Sequence, residues 1–162
     1  MIKLRTFKQK DKDKLLHILN DRNITQYLST KIPEPYTSLN ADWWISEGSN
    51  QSIIRAIEID SELVGCIGVN QGEFEYARSG ELGYWLAKEY WRKGIMVQAV
   101  NQVVTDIYNS TEIVRIFASV FSENIGSMKL LEKCGFELEA IHKKAIYKSN
   151  RFYDNHVFVK LK

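Results

Sequence analysis

The chain has 162 residues, of which 44% are hydrophobic, and this predicts one domain over residues 1–162 with a single core. Its 22 basic and 20 acidic residues give a formal charge of +2 with no long basic run, so nucleic acid is not expected as a partner. The start lacks an apolar signal core, and no apolar stretch reaches the roughly 20 residues of a membrane span, which predicts a cytoplasmic protein with no membrane partner.

The first third of the chain predicts a strand followed by helical segments. Alternating apolar residues indicate a strand over Ile2–Phe7, and Asp11 is expected to cap the helix behind it. Two prolines place a loop after a broken helix around Ile24–Leu28. Ser38 is expected to cap the next helix, which Gly48–Gln51 closes.

A hairpin is expected next. Ile53–Ile59 and Leu63–Val69 have strand composition, and Asp60–Glu62 between them is typical of a tight turn. Gly65 lies inside the second strand, where a glycine indicates a bulge or close packing. A polar link, Asn70–Ser79, then leads to the centre of the chain.

The central stretch passes from a strand directly into a helix. Glu81–Leu86 has a strand pattern, Arg92–Gly94 forms a basic turn, and a helix is predicted over Met96–Tyr108. The apolar residues of that helix fall on one stripe: Met96, Ala99, Val100, Val103, Val104 and Ile107.

This junction favours an anion. The first turn of a helix has backbone N–H groups without intrahelical partners, and the helix dipole adds positive charge there. Gly94 lets a ligand approach the backbone, while Arg92 and Lys93 add further charge, so a phosphate or pyrophosphate fits. The alternative for this stretch is an ordinary glycine turn with solvated charges.

The remaining sequence completes a sheet. Val114–Phe121 is predicted to be a strand, and its connection through the preceding helix favours a parallel pair with the central strand. A last helix begins at Ser122 or Asn124 and ends at Gly135. The chain then ends in a hairpin of two strands, Phe136–Tyr147 and Phe152–Leu161.

The two cysteines are interpreted as core residues. Neither Cys66 nor Cys134 lies beside a histidine in the sequence, so a catalytic thiol is not expected. No metal site is predicted.

The order of several motifs resembles the GNAT superfamily of N-acetyltransferases, in the branch of the ribosomal-protein N-terminal acetyltransferases. No single motif is specific, but their order and spacing together are. The matching pieces are IPEPYT (Ile32–Thr37), ADWWI (Ala41–Ile45), GELGYWLAKEYWRKGI (Gly80–Ile95), NIGSMKLLEKCGFELEA (Asn124–Ala140) and the pair Tyr153-Asp154.

The resemblance implies the fold and the cofactor. The fold is α+β (mixed α/β), with a mostly antiparallel sheet of about seven strands, a splayed parallel pair and about four flanking helices. Acetyl-CoA would lie between the splayed strands, its arm bonded by the backbone of Trp85, Leu86 and Ala87, with an N–H near Leu86 polarising the thioester carbonyl. Its pyrophosphate would contact the residues that open the helix: Arg92, Lys93, Gly94, Ile95, Met96 and Val97.

The loop departs from the family pattern at two positions. That pattern begins with Gln or Arg and ends with Gly or Ala, whereas this chain has Trp91 and Met96. A bulky side chain at Met96 is expected to limit how closely a ligand approaches the backbone of the loop.

The resemblance also assigns candidate catalytic residues. Asn124 matches an asparagine that bonds the cofactor arm, with an ordinary helix cap as the alternative, and Ser127 matches the residue near the sulfur. Glu81 is the candidate base that deprotonates the acceptor amine and lies on the acceptor side, with a solvated strand residue as the alternative. Some relatives of this branch have a glutamate in the final hairpin where this chain has Ile146.

The acceptor side is expected to include Tyr36 and Trp43 or Trp44, and at least one tryptophan is expected to pack on the sheet instead. Four further titratable groups are expected nearby without a ranking: Glu139, His142, Tyr147 and Tyr153.

Three functions remain as hypotheses. The first is transfer of an acetyl group to a primary amine, either a protein N-terminus or a small molecule such as a polyamine, amino acid or antibiotic, by direct attack in a ternary complex. The others are CoA binding without catalysis and binding of another nucleotide. Exposed strand edges in such folds also allow a homodimer.

Overall fold

The seven strands of the protein form one mixed sheet in a computed structural model that describes residues 1–162. The strands are β1 (Lys3–Arg5), β2 (Ile53–Ile59), β3 (Glu62–Gln71), β4 (Ser79–Leu86), β5 (Arg115–Phe121), β6 (Glu137–Lys148) and β7 (Arg151–Leu161). The helices are α1 (Lys12–Leu19), α2 (Arg22–Thr25), α3 (Ser38–Ser46), α4 (Ile95–Ser110) and α5 (Ile125–Lys133).

The strand order is β1-β2-β3-β4-β5-β7-β6. β4 and β5 run parallel, as the helix between them predicted, whereas β5–β7 and β6–β7 are antiparallel. The predicted mixed sheet with one parallel pair is therefore confirmed. The helix count is five because Arg22–Thr25 forms a separate single turn within the segment predicted as a broken helix.

The parallel ladder between β4 and β5 is short. It comprises three pairs, from Ser79 with Arg115 to Glu81 with Phe117. β4 nevertheless continues to Leu86, and β5 continues to Phe121 while remaining paired with β7. The end of the ladder at Glu81 agrees with the expected splaying of the two strands.

The chain divides into two compact units. The first, called the N-terminal unit below, comprises Met1–Gly68 and Tyr84–Ala99, and the second, the C-terminal unit, comprises Val69–Gly83 and Val100–Lys162. The boundary passes through β3, β4 and α4, and the single domain stays a prediction. The core of the N-terminal unit contains Phe7, Leu15, Ile18, Leu19, Ile24, Tyr36, Ala41, Ala56, Leu63, Cys66, Trp85 and Ala87. Buried residues of the C-terminal unit include Ile113, Ile116, Leu131, Phe136 and Phe158.

α4 confirms the amphipathic stripe predicted for it. The helix extends to Ile95 and Ser110, slightly beyond the predicted ends. The apolar stripe is buried over its whole length: Met96, Ala99, Val100, Val103, Val104 and Ile107.

The predicted cap of α3 is wrong, and the predicted cap of α1 has the expected position without a cap bond. Ser38 is the first residue of α3, and the cap is Thr37, whose Oγ1 accepts the Asn40 N–H at 3.4 Å. Asp11 occupies the N-cap position of α1, but its side chain makes no cap bond to the helix. Its carboxylate accepts the Lys8 N–H at 2.8 Å instead and turns into the protein interior.

Asp11 belongs to a buried ion-pair network. Its side chain is 2% exposed and accepts two bonds from the Arg5 guanidinium, at 2.7 and 2.8 Å. Arg5 also donates from Nε to Glu58 on β2. The fork-shaped pairing ties β1, the entry to α1 and β2 together, and it desolvates all three charges.

Replacing Asp11 by alanine leaves Arg5 buried with one partner fewer. Loss of one member of a buried pair is expected to lower the free energy of unfolding by about 3 kcal/mol. Asp13→Ala, at an exposed position of α1, is the matched control and should change it by less than about 0.5 kcal/mol. Urea denaturation measures both, and equal effects would contradict a stabilising role for the network.

Candidate functional site

At the end of β4, the main-chain N–H and C=O groups of successive residues face alternate edges of the strand. The Ala87 N–H donates to the Val64 carbonyl of β3 at 2.8 Å. A Cβ placed on Gly65 would lie 2.7 Å from the Trp85 carbonyl oxygen, so this oxygen also faces β3 at close range. Successive residues of a strand alternate in direction, and Tyr84 and Leu86 therefore face the edge opposite β3.

This alternation separates the three residues predicted to bond the cofactor arm. Leu86 turns its main-chain groups to the edge opposite β3, where an extended ligand could lie beside the strand. Trp85 and Ala87 are directed towards β3, and the Ala87 carbonyl also accepts the Tyr90 N–H at 3.0 Å. The close approach at Gly65 explains why this position of β3 has no side chain.

A short turn joins β4 to α4. Lys88–Tyr90 forms one 3₁₀ turn, after which Arg92 and Gly94 have φ values of +61° and +73°. A Cβ on Gly94 would meet no atom within 4 Å, so the backbone there is open to a ligand. Trp91 folds back on the strand, and its Nε1–H donates to the Leu86 carbonyl at 2.8 Å.

The N-terminus of α4 has the properties of an anion site. The first helical bond runs from the Gln98 N–H to the Gly94 carbonyl at 3.1 Å, so the amides of Ile95, Met96 and Val97 form the first turn. Exposed Arg92 and Lys93 precede it. The first-turn amides, the helix dipole and the two cations all favour a negatively charged ligand.

Met96, the bulky residue at the last position of the family pattern, lies in the interior. It is 4% exposed and belongs to the buried stripe of α4. Its side chain therefore packs in the core, and its effect on the approach of a ligand stays a prediction.

In the C-terminal unit, Glu81 and α5 carry the predicted catalytic groups. Glu81 is exposed on β4, in register with Phe117 of β5. Asn124 caps α5, and its Oδ1 accepts the Ser127 N–H at 3.3 Å. Ser122 lies two residues before this cap, and its N–H donates to the Asp154 carbonyl at 3.0 Å. Asn124 can cap the helix through Oδ1 and bond a ligand through Nδ2, because the amide nitrogen is a separate donor.

Tyr36 occupies a structural position. It is 6% exposed, its hydroxyl donates to the Asn40 carbonyl at 3.3 Å, and burial raises its pKa to about 12. Asn20, which the sequence interpretation did not include, accepts the Tyr36 N–H and donates to its carbonyl, both at 2.9 Å. Tyr36 therefore anchors the loop before α3. The only sequence signal for Asn20 was its place just after α1.

The two tryptophans of α3 face different surroundings. Trp44 packs edge-on against Phe7 with ring centroids 5.8 Å apart. Trp43 is 48% exposed. The expectation that at least one tryptophan packs inward is met by Trp44, and Trp43 is left as the candidate for a ligand contact.

Of the four unranked titratable groups, Glu139 is engaged by a cation. Arg115 donates to its two carboxylate oxygens at 2.9 and 2.5 Å, and this hydrogen bonding lowers the pKa of Glu139. A lowered pKa makes a carboxylate a weaker base. The Tyr153 ring packs against Phe121 in a tilted arrangement with ring centroids 5.2 Å apart, and Ile146 pairs with Tyr153 in the hairpin.

Both cysteines are buried, as their interpretation as core residues predicted, and neither forms a disulfide. Burial raises the pKa of both Cys66 and Cys134. No group of three or more His, Cys, Asp or Glu side chains is arranged to hold a metal ion. None of the helices combines the length and apolar character needed to span a bilayer.

Comparison with known proteins identifies the family. Residues 2–137 match the model of the acetyltransferase (GNAT) domain. The chain belongs to this family.

Two relatives illustrate the extent of the similarity. YoaA of Bacillus subtilis, named as an uncharacterized N-acetyltransferase, is 33% identical over 97 residues, which are 60% of this chain and 54% of YoaA. The chain thus matches about half the length of that relative. The p20 protein of Bacillus licheniformis, also named as an uncharacterized N-acetyltransferase, is 29% identical over 168 residues, covering 98% of this chain and 92% of p20.

Among solved structures, RimL is similar in fold. It is described as a ribosomal L7/L12 alpha-N-protein acetyltransferase in complex with coenzyme A. The TM-score is 0.87 at 20% sequence identity, over 99% of this chain and 93% of RimL.

Gly94→Ala tests the backbone of the turn. The alanine has space for its side chain but must adopt a positive φ, so we expect a loss of about 1–2 kcal/mol in the free energy of unfolding. Gly126 in α5 is the matched control, because it has the same open space without a positive φ. Gly126→Ala should leave stability unchanged or raise it by up to about 1 kcal/mol. Equal changes in urea midpoint would contradict the strain at Gly94.

Proposed function

We propose that the protein is an acetyl-CoA-dependent N-acetyltransferase that acts on a primary amine. The observation that supports this most is the succession of two binding features in one short segment of the N-terminal unit. Leu86 offers main-chain groups at a strand edge, and the anion site of α4 begins nine residues later, at Ile95. A ligand with an extended, amide-containing arm and a pyrophosphate suits this succession.

Different residues of the segment would bind different parts of acetyl-CoA. Leu86 would bond the arm through its main chain, flanked by Trp85 and Ala87. The first turn of α4 would hold the pyrophosphate together with Arg92, Lys93 and Gly94. Asn124 would add a side-chain donor. When bound, acetyl-CoA supplies the activated acetyl group.

Charge develops on the thioester carbonyl oxygen during acyl transfer, and a fixed N–H aimed at that oxygen stabilises it. The Leu86 N–H is our candidate for this donor. It lies at the end of a strand whose next residue is bonded to β3, so little reorganisation is needed when the charge appears.

Proton transfer is assigned to Glu81 and Ser127. An amine must lose a proton before it attacks, and free amines have pKa values of about 8 to 10. Glu81, exposed on β4, would accept that proton, directly or through water. The Ser127 hydroxyl would hydrogen-bond the sulfur that leaves.

Direct transfer in a ternary complex is favoured over a covalent enzyme intermediate. Both cysteines are buried, and burial holds their thiols in the protonated, unreactive form. The amine nitrogen therefore forms its bond to the acetyl carbon as the carbon–sulfur bond breaks. Sequential kinetics are expected.

The acceptor is proposed only as a primary amine. Trp43 and Glu81 are the candidate acceptor contacts, and Tyr36 would support the helix that carries Trp43. RimL is named as acting on a ribosomal protein, which makes a protein N-terminus one candidate. A small-molecule amine such as a polyamine is the other.

Calorimetry and thiol release distinguish this function from its alternatives. Acetyl-CoA binding together with thiol release on at least one amine of a panel supports the transferase. Binding without release on any amine favours a non-catalytic CoA-binding protein. Stronger protection against unfolding by ATP or NAD than by CoA favours a different nucleotide.

Glu81→Gln tests the base. The amide keeps the size of the side chain but cannot accept a proton, so kcat at neutral pH should fall about 100-fold or more. The KM for acetyl-CoA should stay unchanged, because Glu81 is not assigned to the cofactor. Steady-state thiol release at saturating acceptor measures both.

The control is Glu75→Gln, which changes an exposed glutamate outside the assigned site. It should leave kcat unchanged. A Glu81→Gln variant as active as the Glu75→Gln variant would remove Glu81 from the mechanism.

We also propose that the sheet edge at β6 pairs two copies of the chain. β6 is an outer strand, and three apolar side chains along it are exposed: Leu138, Ile141 and Tyr147. Such an edge with an apolar face is typical of an interface. Ile141→Lys should convert a dimer to a monomer in sedimentation velocity, and a monomeric wild type would contradict the pairing.

A further inference from the structure

Trp91 stands at the first position of the loop, where the family pattern has Gln or Arg. The indole is 39% exposed, so it is not held in place by burial alone. Its Nε1–H donates to the Leu86 carbonyl at 2.8 Å. A side chain from the turn therefore bonds the last residue of β4, the residue to which the cofactor arm is assigned.

This bond completes the fixation of one peptide group. The peptide between Leu86 and Ala87 has its carbonyl bonded by Trp91 and its N–H bonded to Val64 at 2.8 Å. Because a peptide group is planar, its rotation would break both bonds. The direction of the strand at Leu86 is thus set before any ligand arrives.

The same bond closes the turn between strand and helix. Within it, the Tyr90 N–H donates to Ala87 and the Trp91 N–H donates to Lys88, at 3.0 and 3.1 Å. Only Arg92, Lys93 and Gly94 then separate Trp91 from α4. The indole bond therefore fixes the spacing between Leu86 and the amides that open the helix.

We propose that Trp91 is a positioning residue for acetyl-CoA. Its indole N–H holds the end of β4 at a set distance from the first turn of α4, so that one ligand can bond both at once. Two sites that a single ligand must span gain affinity when their separation is fixed in advance. This inference rests on the proposed function.

The test compares two ligands that differ in the arm. Acetyl-CoA spans the strand edge and the helix end, whereas 3′-phosphoadenosine 5′-diphosphate keeps the two linked phosphates but has no pantetheine arm to reach Leu86. Trp91→Phe keeps an aromatic ring but removes the donor. We expect the Kd for acetyl-CoA to rise about 5-fold to 10-fold, the size of one net hydrogen bond, and the Kd for 3′-phosphoadenosine 5′-diphosphate to change less than about 2-fold.

Trp44→Phe is the matched control. The Trp44 Nε1–H has no hydrogen-bond partner, so removing it should leave the Kd for acetyl-CoA unchanged. Calorimetry on wild type and both variants gives all the constants, and unfolding midpoints verify that each variant is folded.

Two results would overturn the role of Trp91. One is an unchanged Kd for acetyl-CoA in Trp91→Phe. The other is an equal loss for both ligands, which indicates general loosening of the turn. If the wild type itself fails to bind acetyl-CoA, the proposed function is wrong, and that outcome is distinct from both.

Discussion

The direction of the main-chain groups on β4 is the constraint on which the candidate site depends. A strand residue can bond only one edge, and its neighbours must bond the other. The Ala87 N–H donates to the Val64 carbonyl, so the main-chain groups of Ala87 face β3. The main-chain groups of Leu86 therefore face the opposite edge of the strand. The ladder to β5 stops at Glu81, so β4 reaches Leu86 beyond its last pair with that strand. On this edge the Leu86 carbonyl is bonded by Trp91, and the Leu86 N–H is the group proposed for a ligand that lies beside the strand.

The helix end supplies the second half of the same segment. Its preference for anions comes from backbone amides. Substitution of a side chain therefore changes this preference less than it would change a site built from side chains. Met96 illustrates this, because its buried side chain fills the core while its amide stays in the first turn. Trp91 also departs from the family pattern, and its indole N–H donates a hydrogen bond to the Leu86 carbonyl.

Periodicity was sufficient to predict the larger elements. α4 and the C-terminal hairpin have regular apolar patterns, and the structure agrees with both. Contacts distant in sequence were not predictable in the same way. Asp11 is a residue type that often caps helices and stands at the N-cap position of α1, but its carboxylate accepts hydrogen bonds from the buried Arg5 instead of from the helix. Thr37 and Ser38 are adjacent residues that are both common helix caps, and the local backbone decides between them.

The candidate site was predictable as a segment but not in its contacts. The motif order located Trp85–Val97 and Asn124–Ser127, because these patterns are local. The sequence does not reveal which strand residue faces which edge, since that depends on the register with β3. The burial of Tyr36 depends on Asn20, sixteen residues earlier, which no local pattern indicates.

Hydrogen–deuterium exchange with and without acetyl-CoA tests the central claim most directly. Amides bonded by the ligand, and those at the helix end beneath its phosphates, should exchange more slowly. We expect slower exchange in peptides covering Tyr84–Val97 with acetyl-CoA, and no such change with ATP at the same concentration. Unchanged exchange in that segment, or equal slowing by ATP, would contradict the central claim.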